Sequence, residues 1–457
     1  MGFSKDLKNL KNIIKKKGVL ILKYRTSKFV HFLKGNKEDE YIIFNAFTLD
    51  VFVVDKTVKG FIESLIDPQE IEINEITKEL IDKKIIIRND FDEFAYAKKY
   101  RELIRKKAKE LPSRIGFMRI SLTEKCNLKC NYCFVRKIHD KKGDMPVEKF
   151  SEIMLWFIKE NKCSRPVIQY FGGEPLLRMD LIELGHLLLE KAKQNGEIID
   201  YVEEIVTNGT LMTENLAKYF ISNNFNISFS IDGWKDINDK NRVFPDGSGS
   251  FDRLIEGVNN YKNAGGKLSA IITFTNDNID KAEEIIHFLV ESVGFEEISI
   301  NTPQPVDKGW EVNGEEFAKA VTAVWKYCNN NKIPLNHPGN NVAFLINKKL
   351  PQMNSCMNLT YGQNSNTWGV YVTSDLKVSK CLVGFDESIT LKFSDLKFHK
   401  GFETWHFNDN SKDICLECIA YNICGGPCQY EALVRNGKLN PDKCKFYKYI
   451  IKWAILQ

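Results

Sequence analysis

The chain has 457 residues, of which 43% are hydrophobic and 27% charged, and its formal net charge is +5. This length and composition are those of an ordinary globular protein with room for two or three domains. No run approaches the roughly 18 apolar residues of a membrane span, and the charge is too mild to indicate nucleic-acid binding. We therefore expect neither a membrane nor a nucleic acid as a partner.

The N-terminal residues lack the apolar core of a signal peptide, because a lysine run at 15–17 follows a mixed polar start. We therefore expect a cytoplasmic protein. Its 12 cysteines point away from disulfides and towards metal binding in that compartment.

Residues 1–95 have the pattern of a small winged-helix-like module. We predict strands and helices in the order strand 19–23, strand 29–32, strand 41–45, strand 51–54, helix 59–65, helix 76–81 and strand 84–88. No diagnostic motif accompanies this pattern, so peptide recognition, DNA binding and a structural cap all stay open. Residues 96–114 follow as a basic linking helix, whose lysines we interpret as a solvated face.

Residues 115–335 are predicted to alternate regularly between strand and helix. The predicted strands are 115–122, 167–171, 202–207, 227–231, 268–275 and 297–301. The predicted helices are 146–160, 181–195, 214–223, 251–264, 279–293 and 315–329. Six strand–helix alternations in a row indicate an α/β fold with a parallel sheet and right-handed crossovers.

Three cysteines follow the first of these strands, at positions 126, 130 and 133. Thiolates in short runs of this kind hold iron–sulfur clusters. Three ligands around a [4Fe–4S] cube leave one iron free to bind a small molecule, which favours chemistry over electron storage. The alternative is zinc, but structural zinc sites use four ligands, and no further Cys or His follows closely.

A second motif, Gly172, Gly173, Glu174 and Pro175, follows the second strand. Two glycines at a strand end let the backbone approach a ligand closely. Glu174 could receive an ammonium group.

Together these two motifs resemble those of the radical S-adenosylmethionine (radical SAM) enzymes. The resemblance implies that Cys126, Cys130 and Cys133 hold a [4Fe–4S] cluster and that the amino and carboxylate groups of SAM bind its fourth iron. It also implies that the glycine–glutamate motif contacts the SAM amino group. The six strand–helix units would then form a partial (β/α)6 barrel.

Active sites of such barrels lie at the C-terminal ends of the strands. Four motifs follow the first four strands there: the cysteine loop and residues 172–175, 207–210 and 230–233. Near the fourth strand, Asp239 and Arg242 complete a match to the sulfatase-maturase-like branch, which implies that Ser230 and Arg242 hold the SAM carboxylate. The alternative for Arg242 is a surface salt bridge. That branch often has His-Asp where this chain has Asn238-Asp239. The predicted SAM contacts are Phe134, Gly172, Gly173, Glu174, Pro175, Asn208, Ser230, Asp232 and Arg242.

Residues 336–457 contain a second group of seven cysteines: Cys356, Cys381, Cys415, Cys418, Cys424, Cys428 and Cys444. A zinc knuckle could use four of them, but seven fit two metal sites better. Their spacing resembles the SPASM extension of radical SAM enzymes that modify peptides and proteins, which carries two auxiliary [4Fe–4S] clusters. In all, we expect SAM and three [4Fe–4S] clusters as cofactors.

The resemblance assigns these cysteines to two sets. The distal set is Cys415, Cys418, Cys424 and Cys444, and the near set is Cys356, Cys381 and Cys428. The family usually has glycine five residues before the second cysteine, where this chain has Leu376. Because the near set is one thiolate short, we expect an iron open to water, another residue or substrate. The two remaining cysteines, Cys163 and Cys328, are expected to be inert packing thiols.

The resemblance implies a maturase that modifies a ribosomally made precursor peptide through a 5′-deoxyadenosyl radical. We expect a thioether cross-link, recognition of a leader segment by residues 1–95, and a one-electron donor such as flavodoxin or ferredoxin. The alternatives are formylglycine formation in a sulfatase, and carbon–carbon cross-linking, epimerisation or decarboxylation of a peptide. A zinc-containing nucleic-acid-binding protein is disfavoured by the glycine–glutamate motif and the unpaired cysteine trio.

Overall fold

The computed structural model describes residues 22–110, 114–138, 143–303, 312–352, 367–379, 390–392, 413–426 and 439–457. Its strands are β1 (Tyr24–Thr26), β2 (Val30–Lys34), β3 (Tyr41–Asn45), β4 (Val51–Val54), β5 (Ile86–Arg88), β6 (Arg114–Thr123), β7 (Val167–Gly172), β8 (Val202–Thr207), β9 (Asn226–Ser230), β10 (Ser269–Thr273), β11 (Glu297–Asn301), β12 (Leu335–Asn336), β13 (Thr367–Val372), β14 (Lys377–Ser379) and β15 (Thr390–Lys392).

Its α-helices are α1 (Lys56–Ser64), α2 (Glu75–Asp82), α3 (Glu93–Glu110), α4 (Phe134–Ile138), α5 (Val147–Glu160), α6 (Met179–Gln194), α7 (Glu214–Ser222), α8 (Lys235–Asn241), α9 (Phe251–Asn263), α10 (Ala282–His287), α11 (Gly314–Asn330), α12 (Val342–Lys348) and α13 (Pro441–Ile455). No helix in the described ranges is long and apolar enough to cross a membrane.

The N-terminal segment forms two small antiparallel sheets. Strands β2, β3 and β4 form one, and β1 pairs with β5 in the other. Helix α1 begins where the Asp55 carboxylate accepts the Val58 N–H at 2.8 Å, which satisfies a free helix N-terminal amide. The first strand starts at Tyr24, later than predicted, and residues 22–23 are not in a strand. Residues 19–21 lie outside the described ranges, and the winged-helix assignment stays a prediction.

The barrel sheet has the order β12-β11-β10-β9-β8-β7-β6-β13-β14-β15 among the described strands. All neighbours from β12 to β13 pair in parallel. The predicted parallel α/β architecture is therefore confirmed. The sheet also crosses the predicted boundary at residue 335, because β13 of the C-terminal segment pairs directly with β6.

Residues in β7 and β8 alternate between buried and half-exposed, which marks two different faces of the sheet. The buried face packs on the helices: at Gly185 of α6, an added Cβ would lie 2.3 Å from the Tyr170 Oη. The half-exposed face therefore lines the inside of the barrel.

Helix α13, the last in chain order, packs against α11. The rings of Phe317 and Phe446 stack with centroids 5.2 Å apart, and Trp325 meets Trp453 edge-on at 4.8 Å. These apolar contacts make the helix an integral part of the fold. Cys328 on α11 is fully buried as predicted.

The prediction for Cys163 was wrong, because this residue is exposed rather than packed. It has a φ of 54° and donates its N–H to the Glu197 carbonyl at 3.0 Å. Its place in a tight loop before β7 turns the side chain out of the core.

Candidate active site

The cysteine loop, residues 126–133, follows β6 and is held on one side by the end of β7. Gly173 donates its N–H to the Thr123 carbonyl at 2.7 Å, and Glu174 donates to the Lys125 carbonyl at 2.9 Å. A Cβ at position 173 would lie only 2.0 Å from the Lys125 carbonyl oxygen. Glycine is therefore required here so that the strand end can pack directly on the loop.

Gly172 is constrained in the same way. Its φ is 127°, a conformation that favours glycine, and an added Cβ would lie 2.3 Å from the Thr123 carbonyl oxygen. We expected both glycines to admit a ligand. In the described structure it is the backbone next to the cysteines that approaches them, so close packing on this loop explains the two glycines.

The segment 240–243 holds the second side of the cysteine loop. Lys129 donates its N–H to the Val243 carbonyl at 2.7 Å, and Asn131 donates to the Asn241 carbonyl at 2.9 Å. The Asn131 side-chain amide also donates to the Lys240 carbonyl at 3.0 Å. These bonds place the neighbouring Arg242 beside the cysteines.

Glu124 connects the third side of the loop to the C-terminal segment. Its buried carboxylate accepts hydrogen bonds from the Ser374 N–H at 3.2 Å, the Ser374 hydroxyl and the Ser121 hydroxyl at 3.3 Å. Burial raises the pKa of Glu124, and the bonds from Ser374 act in the opposite direction. Ser374 lies in the turn after β13. Its bonds to Glu124 therefore attach that turn to the chain two residues before Cys126.

Glu174 lies at the centre of the rim and is 1% exposed. Its carboxylate accepts the Thr207 hydroxyl at 2.7 Å, the Asn208 N–H at 2.8 Å and the Leu176 N–H at 3.1 Å. The side chain therefore joins the ends of β7 and β8, a role that the prediction of an ammonium contact did not include.

Glu174 should make the stability of the metal-free protein depend on pH. Burial raises its pKa to about 7, although the three donors act in the opposite direction. Since the folded state favours the protonated carboxyl, this group's contribution is complete below about pH 4.5 and declines as pH rises to about 7, by roughly 3 kcal/mol. Denaturant unfolding near pH 5 and near pH 8 should show that Glu174→Gln lacks this component. Equal pH dependence in both proteins would contradict it.

Asn208 links the glycine–glutamate motif to the first cysteine. Its side-chain amide lies 3.7 Å from the Cys126 sulfur and donates to the side-chain Oδ1 of Asn127 at 2.9 Å. Of the other predicted SAM contacts, Phe134 stacks on Phe171 with centroids 6.3 Å apart. The rest lie at the rim: Ser230 ends β9 and is half-buried, and Pro175 starts a short 3-10 helix.

Arg242 is buried, so the alternative of a surface salt bridge is wrong. Its Nε lies 2.9 Å from the Asp232 Oδ2, and its Nη2 donates to Oδ1 at 3.0 Å. Tyr132, between the second and third cysteines, donates its hydroxyl to the same carboxylate. Asn238, at the position where the sulfatase-maturase-like branch often has histidine, accepts the Asp232 N–H at 3.3 Å. Asp232 is thus the centre of a buried polar network.

The three cysteines of the loop suit a cationic metal cluster electrostatically. Burial raises the pKa of Cys126 to about 12, and Glu174, Cys130 and Cys133 act in the same direction. Burial also raises the pKa of Cys130 to about 11, against the effect of Arg242. Bound metal would stabilise these two buried thiols as thiolates.

The sequence analysis did not single out three residues at this rim: Glu124, Asn127 and Tyr132. Two of them lie inside the cysteine loop itself, and their partners lie far along the chain. Nothing in the local sequence therefore indicated their role.

Four cysteines of the predicted distal set come together in the C-terminal segment. Burial raises the pKa of Cys424 to about 11, with contributions from Cys444 and Cys418. The pKa of Cys444 is raised mainly by burial and also by Cys418 and Cys415. The other three thiols therefore each lie within electrostatic reach of Cys444. No three His, Cys, Asp or Glu side chains in the described ranges are spaced to bind a single metal ion.

The predicted near set of Cys356, Cys381 and Cys428 lies outside the described residues. The turn that leads towards Cys381 is described, and Leu376 there has a φ of 67°. This left-handed conformation is one that glycine adopts without strain.

The inside of the barrel carries a row of polar side chains below the rim. The Arg119 Nε donates to the Gln169 Oε1 at 2.5 Å, and the Gln169 amide donates to the Glu204 carboxylate at 2.8 Å. The three residues are aligned across β6, β7 and β8. Since all three are half-exposed, they offer a polar floor to a molecule that enters the barrel.

A parallel α/β barrel with a three-cysteine loop and a glycine–glutamate motif at its rim defines a radical SAM enzyme. Residues 120–289 match the family model described as "Radical SAM superfamily". Residues 120–289 are therefore a radical SAM domain, and a domain of this superfamily implies the use of SAM and a [4Fe–4S] cluster.

Three known proteins illustrate what the chain is similar to. The radical SAM cyclopropyl synthase TigE of Paramaledivibacter caminithermalis is 25% identical over 84% of this chain and 83% of its own length. A cysteine-type anaerobic sulfatase-maturating enzyme of Clostridium perfringens strain 13 is 24% identical over 72% of this chain and 93% of its own. The solved structure of Streptococcus suis SuiB bound to precursor peptide SuiA has a TM-score of 0.54 at 14% identity, covering 90% of this chain and 97% of that chain.

Proposed function

We propose that this enzyme modifies a ribosomally made precursor peptide and that Cys126, Cys130 and Cys133 hold its SAM-binding cluster. The observation that carries this proposal is the direct attachment of the cysteine-rich C-terminal segment to the rim. Strand β13 pairs with β6, and Ser374 binds Glu124 beside the cysteine loop. This attachment suits a second metal-bearing unit that works together with the barrel.

In this proposal the C-terminal segment holds two auxiliary [4Fe–4S] clusters. Cys415, Cys418, Cys424 and Cys444 would hold the distal one, and their mutual electrostatic effects support that assignment. The remaining three cysteines, at 356, 381 and 428, would hold the near one.

When bound, SAM and the reduced cluster supply a 5′-deoxyadenosyl radical, which removes a hydrogen atom from the substrate. The chain's own residues hold and shield the reactants. Glu174 and Asn208 fix the rim around Cys126, and the polar floor of Arg119, Gln169 and Glu204 would orient the part of the peptide that enters the barrel. The buried rim limits the access of water to the radical.

We propose a thioether cross-link as the product. Joining a cysteine sulfur to a peptide carbon removes one C–H hydrogen and the thiol proton, and one electron must then leave the substrate. An electron-accepting centre in the C-terminal segment suits that requirement. A flavodoxin or ferredoxin would supply the electron that starts each cycle.

A peptide leader would bind to the N-terminal segment by strand addition. Strand β4 pairs with β3 alone among the described strands, and its Val51 and Val53 side chains are exposed. Backbone groups on the far side of β4 could pair with an extended peptide, and the valines could set its register. The likeness in fold to SuiB, whose structure contains a precursor peptide, supports a peptide substrate.

Two other outcomes are supported by the relatives. The sulfatase-maturating relative favours formylglycine formation, and the cyclopropyl synthase favours carbon–carbon bond formation. Mass spectrometry separates these outcomes. A thioether removes two hydrogens and protects the cysteine from alkylation, formylglycine formation from cysteine removes sulfur, and a carbon–carbon bond leaves the thiol open to alkylation.

The deciding experiment uses the reconstituted enzyme, SAM, a reductant and a candidate precursor peptide that carries a leader segment and a core with cysteine. We expect two hydrogens to be lost per cross-link, with the cysteine protected from alkylation, and we expect the reaction to require the leader. Efficient modification of a leader-free peptide with loss of sulfur would instead establish the sulfatase-maturase type of reaction.

Replacing Cys418 and Cys444 with alanine tests the auxiliary site separately. The double variant should lose about four irons per chain and fail to form the cross-link, because one electron-accepting centre is removed. It should retain reductive SAM cleavage, measured as 5′-deoxyadenosine. Unchanged iron content in this variant would rule out the distal cluster.

A further inference from the structure

Three hydrogen-bond donors and one further ion-pair contact surround the buried Asp232 carboxylate just after β9. Its Oδ1 accepts from the Arg242 Nη2 at 3.0 Å and from the Thr273 N–H at 3.1 Å. Its Oδ2 receives the Tyr132 hydroxyl and lies 2.9 Å from the Arg242 Nε. The carboxylate is 1% exposed and the guanidinium 8% exposed, so these charges interact with little screening by water.

Two of these partners belong to the neighbourhood of the cysteines. Tyr132 lies between Cys130 and Cys133, and Arg242 is flanked by residues that hold the loop backbone. The guanidinium also lies over the Tyr132 ring, 5.5 Å from its centroid. Asp232 therefore joins β9, the segment after α8 and the cysteine loop in one rigid network.

We propose that Asp232 and Tyr132 are positioning residues for the cysteine loop and that the Asp232–Arg242 pair sets the reduction potential of the cluster held there. This inference rests on the proposed assignment of Cys126, Cys130 and Cys133 as its ligands. Reduction adds negative charge to the cluster. A nearby cation therefore raises the potential and a nearby anion lowers it, with hydrogen bonding and burial as the other determinants.

The pair places one charge of each sign beside the loop, so their effects on the cluster largely cancel. Lys129 and Asn131, on either side of Cys130, donate their N–H groups to the Val243 and Asn241 carbonyls, which flank Arg242, so the pair lies next to this cysteine. Removing one member leaves the other uncompensated. Asp232→Asn should shift the potential upwards, and Arg242→Gln should shift it downwards.

The experiment is a potentiometric titration of the reconstituted full chain, followed by electron paramagnetic resonance. The signal that changes when SAM is added identifies the SAM-binding cluster among the others. We expect shifts of opposite sign in Asp232→Asn and Arg242→Gln, and a smaller shift in the double variant. Shifts of the same sign, or none in either variant, would overturn the electrostatic part of the proposal.

Tyr132→Phe tests positioning without changing charge. It should release iron from the SAM-binding cluster to a chelator faster than wild type. Tyr170→Phe is the matched control, because Tyr170 is also buried and donates its hydroxyl to the Glu203 carboxylate at 2.6 Å, on the helix-facing side of the sheet. Equal iron release from both variants would show that the Asp232 bond has no special role.

A variant that loses its cluster altogether is compared in the same way. Loss in Asp232→Asn but not in the matched variant Glu203→Gln supports the positioning role, and loss in both contradicts it. If Cys126, Cys130 and Cys133 do not hold a SAM-binding cluster, the result is distinguishable, because the wild-type protein would then show no signal that responds to SAM.

Discussion

Replacing Cys126, Cys130 and Cys133 with alanine will abolish reductive SAM cleavage and remove about four irons from the reconstituted protein. The three cysteines lie in one loop, and burial disfavours the ionisation of Cys126 and Cys130 unless a metal is bound. No described cysteine outside the loop lies on this part of the rim to replace them. Anaerobic iron and sulfide analysis, together with quantification of 5′-deoxyadenosine, measures both effects.

Cys163→Ala is the matched control for this variant. This cysteine is exposed and precedes β7, at the end of the barrel opposite the rim, so its loss should change neither iron content nor SAM cleavage. About twelve irons in the wild type and eight in the triple variant would fit one SAM-binding cluster and two auxiliary clusters. A wild type with about four irons, or with zinc, would refute the auxiliary clusters and the thioether chemistry that depends on them.

The barrel could be predicted from the sequence because its strands and helices have local signals. The predicted strands 202–207 and 297–301 match β8 and β11, and most other bounds differ by one or two residues. Strand alternation and turn residues lie within a few positions of one another, so a pattern in the chain reports directly on them. The location of the active-site rim could be predicted by the same reasoning, since the C-terminal ends of parallel strands all lie at one edge of the sheet.

The contacts that hold the rim could not be predicted in this way. Tyr132 binds a carboxylate 100 residues away, and Ser374 binds Glu124 across 250 residues. Nothing local distinguishes these side chains from ordinary polar residues, because their roles depend on which loops the fold brings together. The pairing of β13 with β6 was missed for the same reason.

Burial also changed the interpretation of individual residues. Arg242 matched a motif, and the alternative to a SAM contact was a surface ion pair, yet the residue is buried against Asp232. Cys163 was expected to pack in the core but lies in an exposed turn. Residue type predicts average burial, whereas the position of a single side chain depends on the path of the loop around it.

Replacing Gly173 with alanine will displace the cysteine loop and nearly abolish catalysis. The new Cβ would lie 2.0 Å from the Lys125 carbonyl oxygen and 2.8 Å from the Glu124 carbonyl carbon, both backbone atoms that cannot rotate away. Relief requires the strand end and the loop to separate, at a cost of about 1–3 kcal/mol or more. A misplacement of about 1 Å can lower a rate about a hundredfold, so 5′-deoxyadenosine formation should fall by at least that factor.

Gly60→Ala is the control for this substitution. Gly60 lies within α1, and an added Cβ would meet nothing within 4 Å, so alanine there should leave catalysis unchanged and stabilise the helix by about 0.5–1 kcal/mol. Iron retention in the presence of a chelator, thermal unfolding and SAM cleavage should be measured for both variants.

If Gly173→Ala keeps its SAM-binding cluster and its full rate of cleavage, the glycine is not needed for packing on the loop. Ligand approach would then be the better reason for its presence. If iron is lost faster and cleavage falls while Gly60→Ala remains normal, the glycine–glutamate motif acts first as the support on which the cysteine loop is built.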